Sequence, residues 1–170
     1  MSVTEQGAMV REAQRRSDTG EEAMKNTRAR KGADSGVDRK ALERGNRLRL
    51  ELTGSSYVKG ADADLDPALL PAREMLTEFV WGKVWTRKGI DRRTRSFMNI
   101  GILMALNRPH ELAINLRMAV NNGLSRAEIG EAILHAAAYC GVPAGVNAIG
   151  VTRQFFAELD REKSARRGRR

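Results

Sequence analysis

Residues 125–145 read SRAEIGEAILHAAAYCGVPAG, and their punctuation is that of two consecutive helices. Ser125 followed by Glu128 is an S-x-x-E capping box, in which hydroxyl and carboxylate each take an orphan N–H of the first turn. Ala132, Ile133, Ala136, Ala137 and Cys140 then place small and apolar side chains around a helix running through Cys140. Gly141 interrupts it, and Pro143 falls in the first turn of the next helix, where its fixed φ is already helical.

The neighbouring segments read the same way. Upstream, HELAINLRMAVNNG predicts a helix stopped by Asn121-Asn122-Gly123. Before it, Asp91 caps RRTRSFMNIGILMALN, which Arg108-Pro109 breaks. Asp66 ahead of Pro67 signals an earlier helix start, with Leu69, Leu70, Met75, Leu76, Phe79 and Val80 at mixed three- and four-residue spacing. Trp81 and Trp85 close that segment before the turn TRKGID. Downstream, the helix opened by Pro143 is expected to reach about Leu159. Ala41 to Leu52 is weakly amphipathic and leads into GSSYVKG, read as a loop. No stretch alternates with period two, so the fold class is all-α.

Residues 1–42 offer almost no apolar side chains among their charges and are read as a disordered extension. Residues 43–160 form the helical domain, and 161–170 a basic tail. The net charge of +9 is unevenly spread: REKSARRGRR at the end carries six basic and one acidic side chain. A tail of that kind attracts anionic surfaces, but without aromatic interleaving or an RNA-binding motif a nucleic-acid role is not expected. No apolar run is long enough to span a membrane, and the N-terminus has no secretory hydrophobic core. A single cysteine, Cys140, permits no internal disulfide, and no zinc-ligand spacing exists. A cytoplasmic setting without a metal follows as the default.

Chemistry concentrates on the capping-box helix. Glu131, His135 and Tyr139 are four residues apart and share one face. With small and apolar residues on the remaining circumference, this helix is expected to be buried, placing the three groups inside or at a cleft. A carboxylate beside His135 fixes its tautomer and favours its protonated form, as general acid–base work requires. The same spacing also suits a structural i,i+4 hydrogen bond at a subunit contact. Arg92, Arg93 and Arg95 cluster at a helix N-terminus, where an anion is favoured; a solvated basic face accounts for them equally well. His110, at a helix start, is expected to be exposed, and Cys140 to be a packing residue.

The run WGKVWTRKGIDRRTRSFMNIGILMALN, followed by HELAINLRMAVNNGLSRAEIGEAILHAAAYCGVPAGVNA, resembles the carboxymuconolactone decarboxylase family, in its 4-carboxymuconolactone decarboxylase branch. The likeness spans roughly residues 45–160 and is dense from Trp81 to Ala148. It implies a compact all-helical subunit that assembles into trimers or hexamers, with active sites near subunit contacts. It further implies conversion of γ-carboxymuconolactone to the 3-oxoadipate enol-lactone plus CO₂, without a cofactor, in the protocatechuate (β-ketoadipate) branch of aromatic catabolism. The thiol-peroxidase relatives use a CxxC pair, but the corresponding region here, ALNRPHELAINL, has no cysteine. Decarboxylase members place a His after Glu-Leu-x-x, where this chain has Asn115. An amide donates and accepts hydrogen bonds but does not exchange a proton near neutral pH.

The resulting expectation is a cofactor-independent decarboxylase of an anionic lactone or related unsaturated acid. His135, oriented by Glu131, moves the proton; Arg95 or Arg117 holds substrate carboxylates; Trp85 and Tyr139 exclude water; and Asn115 steadies the carbonyl as it gains charge. Asn115 is expected to face the same cleft as the capping-box helix. The alternative is a divergent relative that keeps the fold and binds a small acid or serves a biosynthetic pathway.

Overall fold

A computed structural model describes residues 36–63 and 65–168. Most of the expected N-terminal extension (1–35) and the last two residues of the tail lie outside the described residues. Among the described residues, every regular element is helical: α1 (Arg39–Thr53), α2 (Ser55–Asp62), a 3₁₀ turn (Pro67–Leu69), α3 (Leu70–Leu76) running into a π-helical stretch (Thr77–Val84), α4 (Arg92–Ala105), α5 (Pro109–Asn121), α6 (Arg126–Cys140) and α7 (Val142–Arg167).

The caps are where the sequence puts them. Asp66 accepts from the Ala68 N–H at 2.8 Å, and Asp91 from the Thr94 N–H at 2.7 Å. At α6, Ser125 N–H donates to Glu128 Oε2 at 2.8 Å while Glu128 N–H donates to Ser125 Oγ at 3.2 Å, completing the capping box. The turn into α5 uses Asn107 at φ 49°, one of the few side chains that tolerate the left-handed region. Gly141, at φ 94°, makes the sharp turn from α6 to α7.

Three boundaries differ from the sequence reading. Helix α1 begins at Arg39, capped by Asp38, and buries Ala41 and Leu42, so the ordered domain starts before residue 43. The GSSYVKG segment is helical, as α2, rather than a loop. Helix α7 continues past Leu159 to Arg167, so most of the basic tail is the exposed end of a helix. Arg117 and Arg126 of α5 and α6 bind Glu162 and Asp160 there, which gives the extension partners.

The main core lies between α4, α5, α6 and α7, around Ile100, Leu116, Ile129 and Phe155. A second cluster joins Leu48 and Leu52 of α1 to Trp85 and Met118. Here α1 crosses the π-helical stretch at near backbone contact: a Cβ at Gly82 would lie 2.0 Å from the Ala41 carbonyl oxygen, and one at Gly45 2.5 Å from that of Thr77. The wide turns end with the Trp85 N–H donating to the Val80 carbonyl five residues back, at 2.9 Å. No described helix is long and apolar enough to cross a membrane.

Candidate active site

The three arginines at the start of α4 have different fates. Arg92 pairs with Glu51 of α1 at 2.8 Å. Arg93 binds the Glu128 carboxylate and the Gly123 carbonyl, tying α4 to the capping box of α6. Arg95 has no carboxylate partner among the described residues. Its one side-chain hydrogen bond among the described residues runs from Nη2 to the Arg87 carbonyl at 3.4 Å, and its Nε is buried without an acceptor there. A buried, unanswered N–H costs about 1–3 kcal/mol, which marks Arg95 as a guanidinium whose hydrogen-bonding capacity is not used up within the subunit.

One turn further along α4 stands Asn99. Its Nδ2 donates to Asn115 Oδ1 on α5 at 2.8 Å, and Asn115 Nδ2 donates to the Glu111 carbonyl at 2.9 Å. Both residues are half-buried. Each amide nitrogen has two hydrogens and spends one, leaving two N–H donors at the seam of α4 and α5, one helical turn on from Arg95. Sequence reasoning singled out Arg95 and Asn115 but passed over Asn99. The signal for it was a lone amide in the apolar run SFMNIGILM, four residues from Arg95.

Other candidates are placed differently from expectation. Helix α6 is not buried all round: it covers Ile129, Ile133 and Ala136, and leaves Glu131 and His135 exposed, with Tyr139 81% exposed. The His135 and Tyr139 rings lie 5.0 Å apart, but no hydrogen bond or ion pair joins Glu131 to His135. Asn115 makes no contact with these groups; its hydrogen bonds are to Asn99 and Glu111. Asn99 faces α5 through its hydrogen bond, whereas Gly101 faces α6, its Cβ position 3.9 Å from the Ala136 methyl. Two residues on a helix are about 200° apart, so the Asn115 contact and Ala136, the residue after His135, lie on opposite flanks of α4.

Arg117 holds Glu162 through two 2.7 Å bonds and lies over the Phe155 ring, so its charge is already answered. Trp85 is 7% exposed, stacked on Trp81 at 5.9 Å within the second cluster, which makes it a core residue rather than a wall of an open site. A broad groove between α2, α5 and α7, lined by Tyr57, His110, Arg117 and Glu162, contains none of Arg95, Asn99, Asn115 or His135. Cys140 is partly buried at the end of α6, consistent with packing. No three His, Cys, Asp or Glu side chains among the described residues converge as a metal-binding group.

What this arrangement can do is bind a small anion at Arg95 and present two neutral N–H donors a turn away, about 6 Å along the helix axis. Residues 71–154 match the family model described as the carboxymuconolactone decarboxylase family. The chain is 40% identical over 123 residues to the nitrosuccinic acid decarboxylase of Metarhizium robertsii, spanning 72% of this chain and 86% of that protein. It is 34% identical over 122 residues to the 4-carboxymuconolactone decarboxylase of Acinetobacter baylyi, spanning 72% of this chain and 91% of that one.

Proposed function

The chain belongs to the carboxymuconolactone decarboxylase family, its two described relatives are both decarboxylases, and we propose that it removes CO₂ from a small dicarboxylate without a cofactor. The observation that carries this reading is Arg95, a guanidinium without a carboxylate partner, one turn from the Asn99–Asn115 amide pair. Arg95 holds the carboxylate that stays. The other carboxylate loses its C–C bond, and the electron pair passes into an adjacent acceptor whose oxygens gain charge and take hydrogen bonds from the amides. A proton then adds to carbon.

Two acceptors are worth separating. In nitrosuccinate the pair enters a nitro group and forms a nitronate, a weak base that is stable with neutral hydrogen-bond donors alone. In γ-carboxymuconolactone it enters a conjugated carbonyl, and the enolate formed is more basic and gains more from a titratable partner. Asn115 is neutral, so the site suits the nitro acid better. The lactone, and with it a place in aromatic catabolism, is the second reading, favoured by the likeness to the Acinetobacter enzyme.

Proton delivery is assigned to His135, with a neighbouring copy of the chain supplying it; Glu131, one turn before it, makes no hydrogen bond or ion pair with the imidazole within the subunit. Beside it on α6 and α7, Leu134 is 66% and Val142 74% exposed, an apolar face that a homo-oligomer of trimeric or hexameric order would cover. The test is CO₂ release by the purified chain from nitrosuccinate and from γ-carboxymuconolactone. Release from the nitro acid is expected to exceed that from the lactone, and no release from either overturns the reading.

A further inference from the structure

Asn99 belongs to no motif and, in the reading above, could be one donor among several. Its bonding says more. The Glu111 carbonyl is a fixed acceptor in the backbone of α5, and it takes a hydrogen from Asn115 Nδ2. That contact alone selects which end of the Asn115 amide faces which way, since the flipped amide would set oxygen against oxygen. Asn99 then donates to the far end, at Oδ1, and holds the side chain from the opposite side. Fixed at both ends, Asn115 has a single N–H left, pointing in one direction.

Resting on the decarboxylase reading, we propose that Asn99 is a positioning residue that locks the Asn115 amide through the Asn99 Nδ2 to Asn115 Oδ1 bond, so that its free N–H is aimed at the acceptor group of the substrate. A donor held in place needs no reorganisation when charge develops, and it therefore acts on turnover more than on substrate affinity. Arg95, four residues away, handles affinity. The division of labour is testable because an amide that merely filled a helix seam would show neither signature.

The first arm needs no substrate. In an Asn115→His background, the introduced imidazole is titrated by NMR, with His110 and His135 as the other signals. Adding Asn99→Asp, an isosteric change, puts a carboxylate against the imidazole and is expected to raise its pKa by about one unit or more. Asn99→Ala in the same background gives no such rise. An imidazole indifferent to Asn99→Asp shows that the two side chains do not touch, and overturns the proposal whatever the enzyme does.

The second arm uses nitrosuccinate as probe. Asn99→Ala is expected to lower kcat about tenfold, the worth of roughly one hydrogen bond, with KM within a few-fold. The double variant with Asn115→Ala should be no worse than the poorer single one, because both remove the same aimed donor. Additive losses, or a rise in KM with kcat intact, overturn the proposal. Absence of turnover by the wild type overturns the decarboxylase reading instead, and the NMR arm still judges the contact.

Discussion

Arg95 and Arg117 both stand at helix seams, yet only one is available to an anion. The Arg117 charge is consumed by Glu162, and that of Arg95 meets a single long hydrogen bond to a carbonyl. Arg95→Met should therefore raise KM for the substrate by at least about tenfold, as losing one charge-assisted pair implies, while leaving the thermal midpoint unchanged or higher, since a buried unanswered N–H is removed. Arg117→Met should do the reverse, lowering the midpoint through loss of the α5–α7 tie with KM intact. Equal effects on KM would show that the two were wrongly separated. His135→Gln bears on proton delivery. General acid–base groups contribute roughly 10²–10⁴-fold, so a loss of that size with unchanged helical circular dichroism and oligomer size supports the role. Dissociation or unfolding of the variant would instead make His135 a contact residue. Residue identities at the site were only half visible beforehand. Arg95 and Asn115 stood out by type, but the partner that decides each one's freedom, Glu162 for Arg117 or Asn99 for Asn115, lies 16 to 45 residues away in the chain.

Helix starts were legible because capping is local: Asp66, Asp91 and the Ser125–Glu128 box act within a few residues of themselves. Ends and interruptions were harder. The extension of α7 rests on Glu162 and Asp160 finding arginines on other helices, and the π-helical stretch depends on the close crossing with α1. That crossing yields a sharp expectation. Gly82→Ala drives a methyl into the Ala41 backbone and should cost about 3 kcal/mol or more, in the class of severe overpacking. Gly150→Ala, on α7 with open space around it, should be neutral or stabilise by about 0.5–1 kcal/mol. Thermal melts of the two variants check the contrast, and comparable midpoints would sink it. The caps also carry a pH dependence. The Ser125 backbone N–H, then the Ser125 hydroxyl and Arg93, hold the Glu128 carboxyl below its ordinary range, and the Thr94 N–H does the same for Asp91. A carboxyl whose folded pKa is depressed stabilises fully above the unfolded value and loses that contribution as pH falls through the folded one. Stability should thus decline as pH drops below about 4, less steeply in Glu128→Gln, which keeps the capping-box geometry without a titrating group. An identical acid profile for that variant would remove Glu128 from the account.

For the molecule as a whole, the proposed homo-oligomer rests on the exposed apolar side chains of α6 and α7, Leu134 and Val142 among them. Helical character was readable from Pro67 to Leu159, where period and punctuation agree, but not in GSSYVKG, a short helix with no side-chain cap. The burial of α6 was not, since a helix lined with alanines looks alike whether its outer face meets its own domain or another copy. The decisive measurement follows lactone and nitro-acid consumption by the wild type and Asn115→His side by side. The wild type should release CO₂ from nitrosuccinate and act weakly, if at all, on γ-carboxymuconolactone. Asn115→His should raise lactone turnover by at least about tenfold, as a restored proton donor implies. Robust lactone turnover by the wild type that the His variant fails to improve would show that the amide at this position does not set the substrate.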